Sequence, residues 1–139
     1  MTCDLCETPG GEVLLTDPAG RWRVVLVAGE PAYPGFCRVI STDHVREVTD
    51  LPPAERRGLL EAVLACEEAV REVVAPDKVN LASLGNVVPH VHWHVIPRWH
   101  DDPCFPAPIW APPRREVAAR AAPAELAGRL RAALLRRLG

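Results

Sequence analysis

Lysine occurs once in these 139 residues, at Lys78, tyrosine and methionine once each and phenylalanine twice. No apolar run reaches the about 18 residues that a membrane span needs, and Met1-Thr2-Cys3-Asp4-Leu5-Cys6 shows no basic and then apolar leader. A cytoplasmic protein without membrane attachment is therefore expected. Excess charge of either sign is missing too. Sixteen Lys and Arg against 18 Asp and Glu leave a formal net charge of −2. Nothing then draws the whole surface to nucleic acid polymers or anionic membranes, and any phosphate binding has to come from a local site. The five cysteines, Cys3, Cys6, Cys37, Cys66 and Cys104, are odd in number and lack a secretory context, which argues against a disulfide framework. No internal repeat is visible. The length suits one domain over residues 1–139, with an N-terminal cysteine segment at 1–11 and a proline-rich segment and helix at 99–139.

What the chain does have is Pro89-His90-Val91-His92-Trp93-His94-Val95-Ile96-Pro97-Arg98, with three of its five histidines at a spacing of two. As a strand this places His90, His92 and His94 on one side and Val91, Trp93 and Val95 on the other, so that one face packs and the other is open to chemistry. Pro89 suits a strand's first residue, and Pro97 should end the hydrogen bonding. Buried imidazoles need partners on both ring nitrogens, so three in a row are not what a core asks for. The plain alternative is a half-exposed edge strand whose histidines have no role. Against it stands the suitability of imidazole for proton and phosphoryl transfer near neutral pH. Neighbouring histidines, about 6.5–7 Å apart at Cα, could share a metal ion, whereas the outer pair could not easily do so. This favours one histidine that binds a metal or anchors the strand and two that address a substrate. A metal-dependent hydrolase using His90, His92 and a third ligand is a competing reading, one that predicts loss of activity on chelation.

Cys3-Asp4-Leu5-Cys6 lets two thiolates hold one zinc ion but supplies only half of a tetrahedral site. Redox use would need a preceding strand and a following helix, and unliganded cysteines remain a further option. Glu12–Thr16, Arg21–Val27 and Phe36–Ser41 are short, rich in Val, Leu or Ile and bounded by Gly and Pro clusters, and read as antiparallel strands. Asp43-His44 follows the third, at the kind of strand end where loops place functional groups. Pro52-Pro53-Ala54-Glu55 opens a helix of about five turns, with Leu60, Val63, Leu64, Val70, Val73 and Val74 as its apolar stripe. Ala75-Pro76-Asp77 stops it. Lys78–Leu84 is a fourth strand, joined through Gly85-Asn86 to the histidine strand in a hairpin-like arrangement. Residues 99–113 hold too much proline for regular structure, and Trp99 and Trp110 must pack on the domain or meet another chain. Pro123–Leu138 is a last helix, with Leu126, Leu130, Leu134 and Leu138 facing the core beneath a basic face. Strands, a long helix, two more strands and a terminal helix indicate an α+β sheet with helices on one side.

The segment from Gly85 to Arg98 resembles the signature of the histidine triad (HIT) family of nucleotide hydrolases and transferases, His-x-His-x-His between apolar residues and after a Gly-polar pair. The resemblance implies the same α+β architecture, a HIT-like antiparallel sheet with a long packed helix and a C-terminal helix, and usually a homodimer, to which the tryptophans of the proline-rich segment also point. It implies His92 as the nucleophile at the α-phosphorus of a small-molecule nucleotide, through a covalent nucleotidyl-histidine. His94 would hydrogen-bond a phosphoryl or bridging atom, with Asn86 beside the phosphate and Asn80 at a ribose or phosphate contact. Asn86 stands where glutamine is often found and Val87 where serine or threonine is, and the turn from Asn80 to Gly85 looks a residue short of some branches. These departures bear on the leaving group, a dinucleoside polyphosphate or a nucleoside phosphoramidate being typical substrates. The zinc-containing branch further implies one structural zinc per chain on Cys3, Cys6, His44 and His90. A nucleotide-binding, regulatory relative with little turnover would show the same residues.

Overall fold

The computed structural model describes residues 2–139. A short helix α1 (Asp4–Glu7) is followed by strands β1 (Glu12–Thr16), β2 (Trp22–Leu26) and β3 (Cys37–Ser41), and by the long helix α2 (Pro53–Val74). Strands β4 (Lys78–Ala82) and β5 (His92–Arg98) and helix α3 (Leu126–Leu138) complete the order. The strands form one antiparallel sheet in the order β1-β2-β3-β5-β4, so the α+β expectation holds and the histidine strand lies inside the sheet instead of at its edge. Among the described residues no helix is long and apolar enough to cross a membrane.

Alternation along the strands gives the sheet two unlike faces. Val24, Val39, Val79 and Val95 are buried on one, beneath α2 and α3. The other face carries Val25, Arg38 and Ile40 from the central strands and His92, His94, Ile96 and Arg98 from β5. No long helix covers it. The N-terminal segment packs through Leu5 over Val25 and Ile40, and the proline-rich segment brings Trp99 against Tyr33, Phe36 and Ile96.

Several expectations need correction. The stripe of α2 runs through Leu59, Ala62, Val63, Cys66, Ala69, Val70 and Val73, while Leu60 and Leu64 are exposed. Val63, Val70 and Val73 are buried as expected, and alanine and cysteine complete the stripe where the helix crosses the sheet, positions that a pattern built on Leu and Val alone leaves out. The helix has 22 residues, about six turns. Helix α3 begins at Leu126 and not at Pro123, because Glu125 adopts a left-handed conformation with φ 55°. Leu130 and Leu134 are buried as expected, but the basic face is not merely solvated: Arg131 donates to the Leu14 carbonyl, and Arg136 and Arg137 pair with Glu72.

Pro97 does not end the histidine strand, which continues to Arg98 opposite Lys78. The Val91 carbonyl accepts from Ser41 N–H on the β3 side. By alternation the nitrogen of Pro97 faces that same flank, beyond the last β3 pairing at Cys37↔Val95, so no ladder donor is lost. At its other end the strand starts at His92, and His90 precedes it. The link from β4 is longer than a tight hairpin, and Gly85 turns it with φ +71°, a value side chains resist. Trp99 is buried within its own chain, so it gives no argument for a second copy.

Candidate active site and metal centre

Because His90 lies just outside the ladder, its ring is free of the alternation that would aim it at the cleft of His92 and His94. It is fully buried, and its Nε2 sits 2.6 Å from the Ser41 carbonyl oxygen. A carbonyl only accepts, so Nε2 carries the proton and Nδ1 keeps its lone pair. Burial holds this imidazole below its ordinary range, against the pull of the Ser41 hydrogen bond. Its Nδ1 lies 3.5 Å from both Cys3 Sγ and Cys6 Sγ and 3.2 Å from His44 Nδ1, and Cys6 Sγ lies 3.4 Å from His44 Nδ1. All four donor atoms fall within 4.8 Å of one another. A tetrahedral zinc with Zn–N of about 2.0–2.1 Å and Zn–S of about 2.3 Å has edges of about 3.3 Å between nitrogens and about 3.5 Å between nitrogen and sulfur. The donor set and spacing therefore fit that ion, and the Ser41 carbonyl supplies the outer contact that orients a ligating histidine.

His92, the first residue of β5, has its Nδ1 2.6 Å from the His90 carbonyl oxygen. The same logic fixes this tautomer: Nδ1–H donates, and Nε2 presents a lone pair. His94 follows on the same face with its ring 4.9 Å from that of His92, 5.0 Å from Trp110 and 5.9 Å from Phe36. Its Nδ1 is buried without a partner. Burial, with lesser contributions from His92 and Arg38, pushes the His94 imidazole down to about 4, so it is neutral at physiological pH.

Both histidines line a cleft of about 320 Å³ with Leu84, Gly85, Asn86, Val88 and Trp110. Asn86 thus stands beside them. Asn80 lines an adjoining apolar hollow with Ile96, Ile109 and Trp110, and its Oδ1 accepts from Arg98 Nη1 at 2.8 Å. Leu84 and Trp110 belong to both hollows, which form one surface along β4.

Sequence reasoning missed what holds the proline-rich segment in place. Arg98, 1% exposed, donates to Asp102 through Nε at 2.8 Å and Nη2 at 3.0 Å, and to the Ala107 carbonyl at 2.7 Å. Asp102 also accepts from the backbone N–H groups of Trp99, Cys104 and Phe105. Burial alone would raise this carboxyl, but Arg98 and the three N–H groups outweigh it and bring it down to about 2. This buried pair folds the segment back so that Trp110 reaches His94. The i, i+4 spacing of Arg98 and Asp102 was visible, but nothing in it marked the pair as buried.

Known proteins give the same picture. The HIT domain family matches residues 19–101. A bis(5'-nucleosyl)-tetraphosphatase (asymmetrical) of Schizosaccharomyces pombe is 32% identical over 74 residues, 50% of this chain and 41% of that protein. The chain thus spans less than half the length of that curated relative. Among solved structures, a histidine triad protein of Marinobacter aquaeolei superposes with a TM-score of 0.73 at 25% identity, covering 100% of this chain and 98% of the other. One from Bradyrhizobium japonicum gives 0.71 at 24% identity, over 100% and 97%. With the family pattern spanning more than half of the residues and the three histidines set within a matching fold, the chain belongs to the HIT domain family.

Proposed function

We propose that the protein is a nucleotide hydrolase or nucleotidyl transferase that works at the α-phosphorus of a small-molecule nucleotide, with His92 as nucleophile. The observation that carries this reading is the 2.6 Å contact of His92 Nδ1 with the His90 carbonyl, which leaves Nε2 as a lone-pair donor beside a neutral His94. Attack by Nε2 forms an N–P bond as the bond from phosphorus to the leaving oxygen breaks, and the electron pair departs on that oxygen. Water then cleaves the nucleotidyl-histidine, returning His92 and releasing a nucleoside monophosphate. His94 gives its N–H to a phosphoryl or bridging oxygen, and Asn86 holds the phosphate from the other wall of the cleft. Trp110 and the apolar hollow suit a nucleoside, with the free amide N–H groups of Asn80 as its polar contact.

Zinc bound by Cys3, Cys6, His44 and His90 would supply structure, tying the N-terminal segment to the entry of β5 with no open coordination position. In this reading the chain acts as one HIT-like domain and pairs as a homodimer. The named activity of the fission yeast relative makes dinucleoside tetraphosphates the first substrates to assay. Turnover should yield a nucleoside monophosphate and should fall by orders of magnitude in His92→Asn, with nucleotide binding retained. Tight nucleotide binding with no turnover across dinucleoside polyphosphates, phosphoramidates and nucleotidyl sugars would overturn the enzymatic reading in favour of a binding protein.

A further inference from the structure

Three arginines share the histidine face, and two are fully employed. Arg98 has Asp102, Asn80 and Ala107 as partners. Arg23 donates to the carbonyls of Leu5, Thr8 and Pro9. Arg38, half-buried as the second residue of β3, differs. Among the described residues its Nε is buried with no partner, its one side-chain hydrogen bond is a long 3.4 Å contact from Nη1 to the Gly10 carbonyl, and no carboxylate lies within 4 Å of it. The Phe36 ring centroid is 5.8 Å from its guanidinium carbon. Burial lowers its pKa, and Glu30 offsets this only at a distance. A desolvated guanidinium short of acceptors is costly unless an anion arrives to use it.

Its position says which anion. Arg38 is directly opposite His94 in the β3–β5 ladder, and with His92, Thr8, Gly10 and Val88 it lines a second cleft of about 240 Å³, with exposed Asp4 at the rim. His92 therefore stands between two hollows, one formed by Asn86 and Trp110 and one holding an underused cation. We propose that Arg38 binds the phosphates of the leaving group, so that the enzyme favours nucleotides whose leaving group is itself a phosphate chain. The inference rests on the catalytic reading given above.

With the nucleoside against Trp110 and the α-phosphorus at His92 Nε2, the remaining phosphates extend into the Arg38 cleft. As the N–P bond forms and the bridging P–O bond breaks, the electron pair stays on the departing phosphate oxygen, where guanidinium N–H groups stabilise it without proton transfer. An amine leaving from a phosphoramidate needs a proton and gains little from a fixed cation.

The test compares Arg38→Gln and Arg38→Lys with wild-type protein, all checked for folding by circular dichroism, on a dinucleoside tetraphosphate and on a nucleoside phosphoramidate with a neutral amine. Arg38→Gln should lose about 100-fold in kcat/KM on the first, at least about 30-fold more than on the second, with Arg38→Lys in between. Equal losses on both substrates, or no loss, would overturn the proposal. Should Arg38→Gln fail to fold, Arg38→Lys carries the same comparison. Calorimetry with inorganic tripolyphosphate separates this claim from the catalytic one. Binding by His92→Asn protein that weakens at least about tenfold when Arg38→Gln is added supports the Arg38 site even if wild-type protein proves inactive. Equal affinity with and without Arg38 contradicts it.

Discussion

The main-chain oxygen of His90 accepts the Nδ1–H of His92 at 2.6 Å, while the side chain of the same His90 faces Cys3, Cys6 and His44. One residue thus joins the candidate metal centre to the proposed nucleophile, the ring belonging to the Cys-His cluster and the backbone setting the neighbouring tautomer. The strand proper starts at His92, so His90 can turn away from the cleft while His92 and His94 line it.

Elemental analysis should find about one zinc per chain. Cys3→Ser, which removes one ligand of four, should lower the melting temperature more than it lowers the chemical step in protein that stays folded, since the ion positions His90 and takes no part in bond breaking. Metal-free protein with unchanged melting would return the cysteines to an unliganded role.

Asp102→Asn should destabilise the fold by about 3 kcal/mol in denaturant titrations, because it leaves the buried Arg98 guanidinium without its counterion. Trp110 fluorescence should change with it as the proline-rich segment loosens. Asp102 is held at about 2 against an ordinary 3.8, so its contribution is present above pH 3.8 and is lost as pH falls towards 2. A variant within about 0.5 kcal/mol of wild type would show that the segment is held by other contacts.

The ring of His94 should show no titration by NMR between pH 8 and pH 5, since it is held near 4 against an ordinary 6.5. Between those two values the unfolded chain binds a proton that the folded ring refuses, so this group's contribution to stability falls as pH drops from 6.5 towards 4. A midpoint near 6.5 would mean that the ring is solvated and not a neutral donor at work.

Light scattering at micromolar concentration should report twice the chain mass. Trp99 no longer supports this, but β4 is an edge strand carrying exposed Leu81, and Leu84, Val87 and Trp110 are exposed nearby, an apolar surface of the kind a second chain covers. A monomer at every concentration would leave that surface to the nucleotide alone.

How much of this was legible depended on whether a local pattern carried it. The alternation of His92 and His94 with Trp93 and Val95 is a period-two signal, and it survives as an interior strand with one face turned to a cleft, whereas His90 and Val91 lie ahead of the strand. Cys3 and His90 are 87 positions apart; spacing could not join them, and only likeness to a family did. Arg38 was illegible because what sets it apart is a shortage of partners, which no sequence displays. In the stripe of α2, Val63, Val70 and Val73 were legible, but Ala62, Cys66 and Ala69 look neutral until the sheet is found against them.

Nucleophilic attack by His92 leaves a covalent trace that mass spectrometry of rapidly quenched protein can read. After brief reaction with a dinucleoside polyphosphate and quenching at alkaline pH, where a phosphoramidate survives, the peptide containing His92 should carry one added nucleoside monophosphate, and His92→Asn protein should carry none. Turnover with no such adduct, or an adduct retained in His92→Asn, would contradict nucleophilic catalysis by His92.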